Sequence, residues 1–150
     1  MTHWKCQIHV QAVYISLRMS TRSEFRSENR IWSNIPVIIG DGNPKQAEWR
    51  IYTDGSKTDD GVGCAYAVYN DKTLIDCKQF RLSSECSVFQ AEILAIQKAT
   101  EYILNVADCV NTNFFKIISD SQSALKALNT FKCKKDLTLN TRINIISFYI

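Results

Sequence analysis

A mixed α/β fold is what the 150-residue sequence predicts, and three observations carry the prediction. Trp49 to Leu82 contains three β-prone runs separated by turn signals. Ser87 to Ala107 changes to a helical apolar period. A fourth β-prone run from Asn113 is followed at once by a second helical pattern. A three-strand meander places its third strand parallel to its first, and a long helix then crosses over to a fourth strand. Right-handed crossovers of this kind return the chain parallel to the strand it left.

Each element has its own physical basis. "WRIYT" alternates, with Trp49, Ile51 and Thr53 on one face and Arg50 and Tyr52 on the other, and is expected to end at Asp54-Gly55-Ser56. "GVGCAYAVYN" (Gly61 to Asn70) is small and β-prone, "NDK" is a hairpin turn, and "TLIDCKQFRL" is a third strand with imperfect alternation. In the first helix Phe89, Ile93, Ile96, Ala99, Ile103 and Val106 form one stripe, and Ser87 with Gln90 is a capping-box pair. "NFFKIIS" is the fourth strand. "DSQSALKALN" is the second helix, with Ala124, Leu125 and Leu128 as its apolar side and an Asp or Ser cap.

The remainder is less patterned. "STRSEFRSENR" (Ser20 to Arg30) reads as a solvated linker, and Gly40, Gly42 and Pro44 punctuate the chain before the strong signals begin. Residues 1–48 are therefore expected to form a weakly structured N-terminal extension, with a boundary at Gly40 to Gln46 and one domain over 49–150. "CQIHVQAVYISL" is interrupted by Gln7, His9 and Gln11, so it is too polar for a secretory signal core and too short for a membrane span. No targeting signal is visible, and an intracellular setting without a membrane partner is expected. The six cysteines show no C-x-x-C spacing, and they read as small core residues. A disulfide pair stays open. The net charge of +3 leans weakly toward polyanionic partners.

If the fourth strand lies beside the first, Asp54 and Asp120 leave parallel strands side by side, at the end of the sheet where sites form in open α/β folds. Glu92 precedes Ile96, Ala99 and Ile103 on the core-facing stripe, where a lone glutamate is costly unless something neutralises it. Taken singly, Asp54 is a turn residue, Asp120 a helix cap and Glu92 a snorkelling side chain. Together they form a set of hard oxygen ligands suited to Mg²⁺ or Mn²⁺. Two such ions can clamp a phosphodiester and activate water for in-line attack.

"YTDGSK", "FQAEILAI" and "ISDSQSALKAL", in this order, resemble the ribonuclease H domain, and most of all the form that follows the reverse transcriptase in Jockey-like non-long-terminal-repeat retrotransposon polyproteins. The resemblance covers Trp49 to Asn129. It implies a ribonuclease-H-like mixed sheet with flanking helices, and a metal-dependent endonuclease that cuts the RNA strand of an RNA–DNA hybrid. It further implies Asp54, Glu92 and Asp120 as catalytic metal ligands for two Mg²⁺ or Mn²⁺ ions. Gly55 and Ser56 would lie against the nucleic-acid backbone, and Gln122 would approach the minor groove. Recognition of RNA would use its 2′-hydroxyls.

The sequence departs from that family after Asn129. The family has a fifth strand, a loop with a histidine and a last helix with a fourth metal-binding aspartate. Here the histidines are His3 and His9, and the acid after Asp120 is Asp136, in a basic loop. A C-terminally truncated domain with weakened cleavage is the expectation. The alternative reading is a catalytically inactive retroelement remnant that binds nucleic acid or serves as an interaction module.

Overall fold

In a computed structural model, residues 13–18, 37–39, 49–110, 114–129, 137–138 and 140–141 are described. Six strands among them form one sheet: β1 (Val13–Arg18), β2 (Val37–Ile39), β3 (Trp49–Thr58), β4 (Gly61–Asn70), β5 (Thr73–Leu82) and β6 (Phe114–Ser119). Helix α1 (Val88–Val106) connects β5 to β6, and α2 (Gln122–Asn129) follows β6. The strand order is β2-β1-β6-β3-β4-β5. The meander β3-β4-β5 is antiparallel, and β6 pairs parallel with β3 from Trp49 opposite Phe115 to Thr53 opposite Ser119. Sheet, crossover and parallel fourth strand are the mixed α/β arrangement that the sequence predicts.

The meander is closed by two-residue turns. Thr58 pairs with Gly61 around Asp59-Asp60, and Gly61 adopts φ +146°, a conformation that a side chain would strain. Asn70 pairs with Thr73, and Asp71 between them has φ 51°. The imperfect alternation of the third strand has a cause. A bulge between Val68 and Tyr69 lets Asp76 face Val68 while Leu74 faces Tyr69, so Ile75 is the extra residue.

The core lies between one sheet face and the two helices. Trp49 and Ile51 from β3, Tyr66 and Val68 from β4, and Phe115 and Ile117 from β6 meet Ile93, Ile96, Ala99 and Ile103 of α1 and Leu125 and Leu128 of α2. Ser87 caps α1 as its sequence suggests. Its hydroxyl accepts from the Gln90 amide at 3.2 Å, and the Gln90 side chain accepts from the Ser87 amide at 2.8 Å.

Three expectations need revision. The strand expected to stop at Asp54-Gly55-Ser56 runs on to Thr58, because β4 continues the ladder opposite Asp54 (Ala65), Gly55 (Cys64) and Ser56 (Gly63). The sheet also crosses the proposed boundary: β1 and β2 come from residues 1–48, and β1 pairs antiparallel with β6 from Val13 opposite Ser119 to Arg18 opposite Phe114. β1 thus pairs that edge of β6, since a run of backbone donors and acceptors had a strand within reach. Finally, Cys64 is a buried core residue, but Cys77 and Cys109 are exposed. No disulfide occurs among the described residues; Cys6, Cys133, His3, His9 and Asp136 lie outside them.

Candidate active site

The site begins where β6 ends. Parallel pairing stops at Thr53 and Ser119, so Asp54 and Asp120 are each one residue past the last paired position on neighbouring strands. Asp120 is the residue that sequence reasoning would by default spend on capping α2. The cap is instead Ser121, whose hydroxyl accepts from the Ala124 amide at 3.3 Å and whose carbonyl accepts from Leu125 at 3.1 Å. The Asp120 carboxylate is thereby left for the cluster.

Glu92 arrives from the other direction. Gly55 sits directly under the first turn of α1, so close that a Cβ there would lie 2.5 Å from the Glu92 backbone nitrogen and 2.8 Å from the Ala91 carbonyl carbon. A side chain at this position is incompatible with the helix where it stands. This approach brings Glu92 beside Asp54. One carboxylate oxygen from each of Asp54, Glu92 and Asp120 lies within 4.8 Å of the others. Asp54 is half-buried, Glu92 is buried at 7% exposure, and Asp120 is exposed.

The electrostatics follow from this crowding. Burial, then the charges of Asp120 and Asp54, push Glu92 up to about 7 from its ordinary 4.5. Burial and then the charge of Asp120 raise Asp54, while the Gly55 backbone amide acts on both carboxylates in the opposite sense. The Glu92 Oε2 atom is buried without a hydrogen-bond partner. A buried acceptor with no donor beside two further carboxylates fits a divalent cation: the donors are hard oxygens, and the cation removes both the repulsion and the orphaned lone pairs.

The other predicted residues fall around the cluster. Ser56 lines a shallow cleft with Asp54, Gly63, Ala65 and Gln79. Gln122, exposed, opens α2 two residues after Asp120. Gly55 turns its missing side chain toward α1, so packing against the helix is a role its sequence context did not reveal. In sequence Gln79 is an ordinary residue of the β5 run. Its place in the cleft follows from register, since Asp54 faces Ala65 and Ala65 faces Gln79, putting all three in one row across the sheet. Lys57, for which the sequence suggests no role, donates to two loop carbonyls that lead into α1.

No family model matches the chain, and no curated protein does. Among solved structures, the chain is similar to RNase H1 from the halophilic archaeon Halobacterium salinarum NRC-1, with 15% identity and a TM-score of 0.49. That match covers 68% of this chain and 76% of the archaeal one. Among the described residues, no helix is long and apolar enough to cross a membrane.

Proposed function

We propose that this domain hydrolyses the RNA strand of RNA–DNA hybrids with bound divalent cations, Mg²⁺ or Mn²⁺. The observation that carries the reading is the convergence of Asp54, Glu92 and Asp120 at the end of two parallel strands, with a buried Glu92 oxygen left unpartnered. The order and spacing of "YTDGSK", "FQAEILAI" and "ISDSQSALKAL" support the same reading, and support an origin beside a reverse transcriptase in a retrotransposon polyprotein.

In this reading Asp54, Glu92 and Asp120 hold the cations, and Glu92, the most buried of the three, fixes the inner wall of the site. When bound, such cations polarise the scissile phosphate and supply hydroxide at neutral pH. The chain itself positions the substrate. Ser56 and Gln79 line the cleft that leads to Asp54, and Gln122 lies at the exposed side beyond Asp120. A hydroxyl and carboxamides can exchange hydrogen bonds with 2′-hydroxyls and base edges, which is how an RNA strand is told from DNA.

The test is cleavage of a labelled RNA–DNA hybrid with Mg²⁺ and with Mn²⁺, by the wild type and by Asp54→Asn. Metal-dependent cutting of the RNA strand, lowered at least about 10²-fold by the substitution, is expected. Hybrid binding with no cleavage under either ion would replace the enzyme with a binding module.

A further inference from the structure

We propose that Lys57 is a positioning residue that locks the connection between β5 and α1 onto β3 and so sets where Glu92 stands in the carboxylate cluster. The inference rests on the reading of that cluster as a cation site. It starts from two hydrogen bonds. The Lys57 Nζ donates to the Ser84 carbonyl at 3.1 Å and to the Cys86 carbonyl at 3.0 Å. An exposed lysine ordinarily keeps its rotamer freedom, and holding one in place takes convergent acceptors.

The acceptors belong to a tight turn. The Cys86 amide donates to the Ser83 carbonyl at 2.9 Å, and the Glu85 amide to the Ser83 hydroxyl at 3.3 Å. The turn thus uses amides internally while Lys57 takes up two of its carbonyls. Ser87, the cap of α1, follows Cys86 directly. A cation beside a helix N-terminus opposes the helix dipole, so helix electrostatics give no reason for a lysine here. The carbonyls do.

Spacing on β3 completes the argument. Gly55 and Lys57 are two residues apart and share the face of the strand that α1 covers. Gly55 receives the backbone of Ala91 and Glu92, and Lys57 holds the turn just before the helix. One strand therefore grips the start of α1 at two points, one by the absence of a side chain and one by a long side chain. Asp54 precedes Gly55 on the same strand, so the grip fixes Glu92 against Asp54.

The experiment compares wild type, Lys57→Met and Lys57→Arg in the full chain. Metal-free hydrogen exchange is read at the Ala91 and Glu92 amides, with Ile51 and Ile117 as core references, and Mn²⁺ affinity is read by calorimetry. Lys57→Met is expected to speed exchange at Ala91 and Glu92 but not at the references, and to weaken Mn²⁺ binding by about 10-fold, the usual effect of losing a group that orients a ligand. Lys57→Arg, which can still reach both carbonyls, should restore most of each. Unchanged exchange and Mn²⁺ affinity in Lys57→Met would overturn the proposal. So would a change confined to hybrid binding and its salt dependence, which would make Lys57 a phosphate contact instead. Asp54→Asn is the control for the cluster. If it leaves Mn²⁺ affinity intact, the cation reading falls, while the exchange data still decide the role of Lys57.

Discussion

Glu92 makes the stability of the metal-free domain depend on pH in a direction opposite to that of most proteins. In the unfolded chain its carboxyl loses its proton near 4.5, whereas in the folded domain burial and two neighbouring acids hold the proton until about 7. Between those values the folded state binds more protons than the unfolded state, so stability falls as pH rises. Each unit of separation is worth 1.36 kcal/mol, which makes the full effect about 3 kcal/mol, complete above pH 7 and absent below pH 4.5. For a chain of this size that corresponds to roughly 6–12 °C in melting temperature. The assay is thermal unfolding followed by circular dichroism in a chelating buffer from pH 5 to pH 8. Wild type should melt lower at pH 8 than at pH 5. Glu92→Gln keeps the shape and removes the charge, so it should flatten the profile and raise the melting temperature at pH 8. Saturating Mn²⁺, which favours the ionised acids, should restore wild type at pH 8 but not Glu92→Gln. A wild-type profile that rises from pH 5 to pH 7 without metal and is matched by Glu92→Gln would refute the reasoning.

Further outcomes follow from single contacts. Gly55→Ala drives a methyl into the backbone of Ala91 and Glu92 and should cost about 1–3 kcal/mol, read by urea unfolding, together with loss of the Mn²⁺-induced rise in melting temperature. Ser87→Ala removes the capping hydroxyl of α1 and should cost about 1 kcal/mol in the same assay. Phe115→Ala empties a fully buried position where β6 meets Trp49 and should cost about 3–5 kcal/mol.

Local sequence carried most of the strands and both helices, because their signals are local: alternation in "WRIYT", a three-to-four stripe from Phe89 to Val106, and Ser87 with Gln90 as a cap. The three acids were legible for a similar reason: Asp120 follows a β-prone run, Glu92 lies near a helix start, and Asp54 follows the alternating "WRIYT", although β3 itself continues past it to Thr58. What escaped notice depends on distant partners. Asp54-Gly55 has the composition of a turn, yet β4 holds it extended, and only the position of α1 explains why residue 55 has no side chain. Lys57 looks like any surface lysine until Ser84 and Cys86 are placed beside it. "VYISLR" offers a strand-like run broken by no special residue, but nothing near it in sequence says that its neighbour is β6.

That last pairing sets an order of events during synthesis. Val13 lies opposite Ser119, so β1 leaves the ribosome about a hundred residues before its partner exists. At common elongation speeds of about 5–20 residues per second, the wait is roughly 5–20 s, far longer than the microseconds in which a hairpin forms. In that interval β2 is already present and can cover one side of β1, with Val13 opposite Ile39. The other side is an unpaired row of backbone groups until Phe114–Ser119 emerges. The seam between β1 and β6 is therefore a late one, and a slower ribosome lengthens the exposure of a strand that the finished domain conceals.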